Sequence, residues 1–234
     1  FNNKPMPKNI FFDLDHTLWD FDANAEETLR ELYQIYQIRY LSHRSEQDFL
    51  DIYVKNNDEM WKLYRQNKIT KEVLRSKRFV DTFREMQVDE EEIPHNIWEK
   101  YLEICPTKTI LIDGARDLLD YLAGKYELHL ITNGFAEVQR RKLAHSDLGK
   151  YFSTLTISEE VGKQKPHPLV FETALKNAKS DLKTSRYVGD NLEADVKGAI
   201  ASGWKAYWYT KDDSTFSHED CTSISHLSKL KDIF

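Results

Sequence analysis

The chain changes its hydrophobic rhythm twice. Ile10-Phe11-Phe12 is a short continuous apolar run that stops at once in Asp13-Leu14-Asp15, the pattern of a strand buried on both faces that delivers acidic side chains to its end. Apolar residues then recur three and four apart. Ala25, Leu29, Leu32 and Tyr36 follow the candidate caps Asp22 and Asn24; Phe49, Ile52, Tyr53, Met60, Leu63 and Tyr64 follow Ser45; Val73, Leu74, Val80 and Phe83 follow Thr70; Ile97, Trp98, Tyr101 and Leu102 follow Pro94. These stretches predict four amphipathic helices in succession, a small bundle.

After Thr109 the pattern alternates. A helix is expected over 115–122, a strand over 127–131, a helix over 135–144 and a strand over 155–157. A helix over 168–177, a strand at Tyr187 and Val188, a helix over 194–201 and a strand over 206–209 follow. Strands alternating with helices of this length predict a parallel sheet with helices on both faces, with reactive groups gathered at the carboxyl ends of the strands. The segment from Lys211 to Asp220 is polar, and Leu227-Ser228-Lys229-Leu230 predicts a last short helix. No internal repeat or low-complexity segment interrupts the pattern.

Composition narrows the picture. The 234 residues can bury a sizeable core, and 40% hydrophobic with 12% aromatic content is that of a folded chain. A net charge of −6 gives no electrostatic reason to expect a nucleic-acid polymer or an anionic membrane as partner. No apolar run approaches the roughly 20 residues that span a bilayer. The start, Phe1-Asn2-Asn3-Lys4-Pro5, has no apolar signal segment, so the expectation is a soluble, cytoplasmic protein trimmed at its N-terminus. Cys105 and Cys221 read as reduced thiols more than as a disulfide framework, with a bridge between them left open. The eight histidines form no two-histidine helical pair, which argues against zinc.

The candidate chemistry is spread along the chain. Residues two apart on a strand share a face, so Asp13 and Asp15 reach one site if strand geometry persists through them, and two such charges need a proton or a metal between them. Downstream come Ile131-Thr132-Asn133-Gly134, then Lys165-Pro166, then Gly189-Asp190 with Asp195 five residues after Asp190. Singly, a Thr-Asn-Gly turn or a lysine beside proline is ordinary loop chemistry. Together and in this order they resemble the four motifs of the haloacid dehalogenase-like (HAD) hydrolase superfamily, over about residues 9–209.

That resemblance implies an α/β fold: a Rossmann-like, doubly wound parallel sheet core formed by residues 1–18 and 109–234, with an all-helical cap, residues 19–108, inserted after the first catalytic strand. It implies a magnesium-dependent phosphomonoester hydrolase. Asp13 would be the nucleophile that forms an aspartyl-phosphate, and Asp15 the acid and base that serves leaving group and water. Thr132, Asn133 and Lys165 would bind the phosphate. Magnesium would sit on the Asp13 carboxylate, the Asp15 backbone carbonyl and Asp190, with Asp195 orienting neighbours or pairing with Lys165. His16 stands where glycine is common in the superfamily, and is read as a polar residue tolerated in a turn.

The run from Thr17 to Asp22 resembles the branch of bacterial pyrimidine 5′-nucleotidases. The expected substrate is therefore a small phosphorylated metabolite, a nucleoside monophosphate. Trp19, Phe21, Trp61 and Tyr64 offer faces for a base, although aromatics at helical spacing are usually bundle core, and none is assigned to specificity. The alternatives are a sugar-phosphate or N-acylneuraminate-phosphate phosphatase, a phosphomutase, or a non-catalytic module that carries a phospho-aspartate.

Overall fold

Six short segments pair into one all-parallel sheet in the computed structural model, which describes residues 8–212 and 214–234. They are β1 (Asn9–Phe12), β2 (Glu127–Thr132), β3 (Phe152–Ile157), β4 (Ser185–Gly189), β5 (Lys205–Tyr209) and β6 (Cys221–Ile224). Their spatial order is β3-β2-β1-β4-β5-β6. The sheet grows outward from β1 in both directions, so the strand order reverses where β1 meets β2 and β4. That is where open α/β sheets of this kind place their ligands, at the carboxyl ends. The expected fold class is observed. The start of the chain, on which the signal-segment and trimming expectations rest, lies outside the described residues.

The chain divides into two compact units, one of residues up to Phe21 together with Thr109–Phe234, the other Asp22–Lys108. The second unit is helical. It holds most of α1 (Phe21–Ile35), α2 (Ile38–Ser42), α3 (Glu46–Arg65), α4 (Lys71–Glu85) and α5 (Ile97–Ile104). Ser45 caps α3 through a reciprocal pair: its hydroxyl accepts from the Asp48 N–H, and the Asp48 carboxylate accepts from the Ser45 N–H. Thr70 caps α4 by accepting from the Val73 N–H. Inside, Tyr53, Phe79 and Tyr101 cluster with ring centroids 4.7 to 5.7 Å apart.

Two expectations shift here. Asp22 and Asn24 lie inside α1 rather than capping it, and Tyr33, not Tyr36, is its buried aromatic. The five-residue α2 was not expected, because a single apolar anchor, buried Ile38, leaves no period to read.

In the sheet unit the helices are α6 (Ala115–Leu122), α7 (Ala136–His145), α8 (Ser158–Val161), α9 (Pro168–Ala178) and α10 (Gly198–Ala201), the last continuing a π-helical turn over Leu192–Lys197. Ile10, Phe11 and Phe12 are fully buried, as a central parallel strand covered on both faces requires. On one side Phe11, Phe171, Tyr187 and Trp204 pack edge-on, with Phe11 and Trp204 centroids 4.9 Å apart and Phe171 and Tyr187 5.6 Å apart. This cluster anchors β1 and β4 beneath the strand ends. Strand β6 was not expected. It lies at the sheet edge, and of its four residues only Ile224 is buried, too little alternation to register as a strand. Cys105 and Cys221 are free thiols.

Replacing Phe171 by alanine removes a fully buried ring from this cluster and is expected to cost about 3–5 kcal/mol. Ser45→Ala, which deletes only a cap, is expected to cost about 1 kcal/mol. The shift of the urea unfolding midpoint of each variant checks the ranking.

Candidate active site

Asp13 is the first residue beyond β1, and its N–H still donates to the Val188 carbonyl of β4 at 2.9 Å. The strand ends there. Leu14 carbonyl accepts from the N–H groups of both Leu18 and Trp19 at 2.9 Å, folding the chain back on itself. His16 sits in the turn at φ +64°, a left-handed conformation that explains why glycine suits this position and that histidine adopts more readily than branched residues. Strand pairing ends before this turn, so the pleat of β1 does not fix how Asp15 stands to Asp13. Each meets its own buried lysine.

Lys165 is the partner of Asp13. Its Nζ lies within hydrogen-bond distance of four acceptors, Asp13 Oδ1 at 2.7 Å, Asp195 Oδ1 at 2.6 Å, the Tyr187 hydroxyl at 2.9 Å and the Ile131 carbonyl at 3.0 Å, which share its three N–H groups. The Tyr187 hydroxyl in turn donates to Asp195 Oδ1 at 2.9 Å. Asn133 fixes the loop from which Lys165 projects: its Oδ1 accepts from the Lys165 N–H at 2.8 Å and from the Ser158 hydroxyl, and its Nδ2 donates to the Lys165 carbonyl at 3.1 Å. The Asn133 side chain is thus spent on holding the lysine in place. The expected pairing of Asp195 with Lys165 is present.

Asp190 and Asp195 arrive at the end of β4 through the turn that opens the π-helical segment. Asp195 Oδ2 accepts from the Asn191 N–H at 3.0 Å, and Asp190 Oδ1 accepts from the Thr17 hydroxyl at 3.0 Å. A Cβ on Gly189 would stand 2.6 Å from the Asp195 side chain, so only glycine lets Asp195 reach back to this position. Asp13, Asp190 and Asp195 each place a carboxylate oxygen within 4.8 Å of the others.

Crowding of buried carboxylates shifts their protonation. Burial raises the Asp13 carboxyl well above its ordinary range; Lys165 opposes this, and Asp195 and Asp190 add to it. Burial and Asp195 push Asp190 up to about 6, against the pull of His16 and the Thr17 hydrogen bond. Burial draws Lys165 toward neutrality, but Asp13 and Asp195 outweigh it and its pKa rises. A charged lysine beside three carboxylates, two of which, Asp13 and Asp190, are reluctant to ionise, marks a set of oxygen ligands that suits a hard divalent cation.

Thr132 ends β2, and the turn after it leads into α7. Its Oγ1 accepts from Gln139 Nε2 at 2.7 Å and from the Gly134 N–H at 3.2 Å. The other N–H of Gln139 Nε2 donates to Asp15 Oδ2 at 2.8 Å, and Lys142 Nζ donates to Asp15 Oδ1 at 2.6 Å. Lys142 is 3% exposed and lies 4.2 Å from the centroid of the buried Trp19 ring. Trp19 therefore offers its face to this ammonium, and Trp61 and Tyr64 meet edge to face at 5.8 Å within the helical unit.

The structure thus brings Asp13, Asp190, Lys165 and Asp195 into one cluster, and joins Asp15 to Thr132 through Gln139. Thr17 was seen in sequence only as the threonine two residues after Asp15, with no role given to it, and Tyr187, Gln139 and Lys142 were not anticipated. The last two carried a signal, three apart on one face of a helix that follows Thr132, but buried polar residues on a helix look in sequence like solvent-facing ones.

A family model described as haloacid dehalogenase-like hydrolase matches residues 7–203. Pyrimidine 5′-nucleotidase PynA of Streptococcus pneumoniae is 33% identical over 204 residues, 86% of this chain and 83% of that protein. Pyrimidine 5′-nucleotidase YjjG of Escherichia coli is 32% identical over 200 residues, 85% and 84% of the two chains. The crystal structure of the HAD-hydrolase YfnB of Bacillus subtilis, bound to magnesium, superposes with a TM-score of 0.85 at 26% identity, covering 98% of this chain and 99% of that one. With its fold, motif order and carboxylate cluster in agreement, the chain belongs to the haloacid dehalogenase-like hydrolases.

Proposed function

We propose that the protein is a magnesium-dependent phosphomonoester hydrolase that works through an aspartyl-phosphate, and that its substrates are nucleoside 5′-monophosphates. The observation that carries this reading is the pair of separately neutralised carboxylates, Asp13 on Lys165 and Asp15 on Lys142. A nucleophile alone would stop at the phosphorylated enzyme; a second carboxylate, held apart from the first, serves the proton transfers that complete turnover.

In this reading an Asp13 oxygen attacks phosphorus while the bond to the ester oxygen breaks. Asp15, which must take up a proton from solvent before this step, gives it to the departing alkoxide, then takes one from the water that attacks the aspartyl-phosphate, returning Asp13, releasing phosphate and leaving Asp15 protonated for the next turnover. Thr132 donates its hydroxyl to a phosphoryl oxygen, and Lys165 holds Asp13 in position and offsets charge. The donor set fits magnesium because all its atoms are oxygen: the carboxylates of Asp13 and Asp190 with the Asp15 carbonyl would hold it. Bound there, magnesium would lower the repulsion between the carboxylate and the phosphate dianion.

The helical unit is the cap in this reading, and selects the leaving group. The nucleotide assignment is supported by the names of the two bacterial relatives at 32 and 33% identity. A panel of nucleoside monophosphates, N-acylneuraminate 9-phosphate and triose and hexose phosphates, compared by kcat/KM, tests it; pyrimidine nucleotides are expected to lead, and a sugar phosphate in first place overturns it.

Asp13→Asn is expected to lower kcat on every ester by more than about 10³-fold with the circular dichroism spectrum unchanged, as loss of a nucleophile does. Turnover at the unaltered rate rejects the mechanism. The metal assignment is checked by heat. The native Asp190 carboxyl titrates at about 6 rather than 3.8, so the folded chain holds a proton that the unfolded chain has released. Between about pH 4 and pH 6 the metal-free protein is therefore expected to lose stability as pH rises. Magnesium takes the place of that proton, so it is expected to raise Tm at about pH 7.5 and not at about pH 4.5. Asp190→Asn should weaken both effects, Asp13 keeping the remainder, and an undiminished magnesium response in that variant removes Asp190 from the site.

A further inference from the structure

Helix α7 presents two buried polar side chains, Gln139 and Lys142, one turn apart on its inner face, beside Leu143. Between them they engage both oxygens of Asp15, and Gln139 reaches Thr132 as well. The amide orientation of Gln139 follows from its partners. Asp15 in its carboxylate form, paired with Lys142, only accepts, and against that form the Gln139 nitrogen faces Asp15 Oδ2. Its second N–H then falls on Thr132 Oγ1, and Gln139 Oε1 meets no hydrogen-bond donor among the described residues. Both N–H groups of the amide are thus committed to the site.

Thr132 is polarised by this arrangement. Its oxygen accepts from Gln139 and from the Gly134 N–H, which occupies both lone pairs and leaves the hydroxyl hydrogen as its remaining hydrogen-bonding group. The hydroxyl can then only donate outward. Gly134 has a steric reason as well: a Cβ there would lie 2.4 Å from the Gln139 amide carbon. The glycine that opens the turn is the room that Gln139 needs.

Lys142 is held by Asp15 and by the Trp19 face, with the Phe21 ring centroid 5.2 Å away. A buried ammonium that met only aromatic faces would be costly, so Asp15 and Lys142 fix one another.

We infer that Gln139 and Lys142 are positioning residues that lock Asp15 and Thr132 into one rigid unit, so that the oxygen serving the leaving group and the hydroxyl serving the phosphoryl group keep a fixed separation. The inference rests on the proposed role of Asp15 as proton donor to the leaving group. Neither residue exchanges a bond or a proton with substrate.

The test is the leaving-group dependence of kcat/KM, which reports only the steps through departure of the alcohol, measured over monoesters from p-nitrophenyl phosphate to nucleoside 5′-monophosphates. p-Nitrophenolate leaves without help, whereas an alkoxide needs its proton, a contribution of about 10²–10⁴-fold. Asp15→Asn calibrates the loss. Lys142→Met, which keeps the volume against Trp19, and Gln139→Met are each expected to lower kcat/KM for the nucleotides by about 10²-fold and for p-nitrophenyl phosphate by less than about tenfold. Gln139→Met should in addition weaken competitive inhibition by inorganic phosphate, since Thr132 loses its enforced polarity. Lys142→Arg keeps a donor at Asp15 and is expected to recover most of the nucleotide activity. If Asp15→Asn steepens the dependence while Lys142→Met and Gln139→Met lower all esters by one common factor, the positioning role is overturned and the mechanism stands. If Asp15→Asn leaves the dependence flat, the proton-donor reading fails and the inference falls with it.

Discussion

Charge balance among buried ionisable side chains governs this molecule. Three carboxylates, Asp13, Asp190 and Asp195, face a single lysine, Lys165, at the ends of β1 and β4, while Asp15 has Lys142 to itself. The first group carries two uncompensated negative charges when fully ionised, and the second carries none. Removing such charges from water costs several kcal/mol per ion unless each is paired and hydrogen-bonded. The raised pKa values of Asp13 and Asp190 are that excess expressed as reluctance to ionise. A divalent cation is the species that would cancel it, which ties the proposed magnesium to electrostatics as well as to motif order.

Close packing makes the balance possible. Four acceptors converge on the Lys165 ammonium because the Asn133 side chain clamps its loop from both sides of the peptide, and because Tyr187 rises from β4 beneath it. Two glycines act as spacers of the same kind. Gly189 admits Asp195 and Gly134 admits Gln139, each at a distance where a Cβ would collide with the incoming side chain. Neither has a positive φ, so their value here is steric room rather than unusual backbone angles. The apolar cluster of Phe11, Phe171, Tyr187 and Trp204 supports this layer from below, so the tyrosine belongs to the core through its ring and to the site through its hydroxyl.

Much of this was legible in the sequence where local physics decides the outcome. Apolar runs that break into Asp13, Thr132 and Gly189 marked three strand ends, because a parallel sheet buries its strands and exposes only their termini. The left-handed turn at His16 was anticipated on conformational grounds, and Ser45 and Thr70 announced their helices through caps. What stayed hidden depended on contacts distant in sequence. Lys142 lies 127 residues from Asp15 and Gln139 124 residues from it; on paper they are two polar residues on a polar helix. The separate partners of Asp13 and Asp15 were hidden for a similar reason. In sequence, their meeting at one site was conditional on strand geometry persisting; the chain turns at the Leu14 carbonyl instead, and each aspartate has a different lysine. Edge strand β6 escaped because it needs the exposed side of β5 to exist at all.

That separation of the two aspartates has a mechanistic consequence on the proposed reading. If both shared one cation they would compete for it, and protonating either would alter the charge felt by the other. With Lys165 on one and Lys142 on the other, Asp13 can bear the charge of a phosphoryl group while Asp15 changes its proton, each against its own counterion. The two lysines come from different loops and helices, yet both are anchored by groups that β2 and its following turn provide: the Ile131 carbonyl and Asn133 for Lys165, and α7 itself for Lys142. The segment from Ile131 to Lys142 thereby sets the spacing of the whole site. A hydrolase that must first hold phosphate and then release it to water gains from such an arrangement, because the frame that positions the nucleophile stays fixed while the proton moves elsewhere.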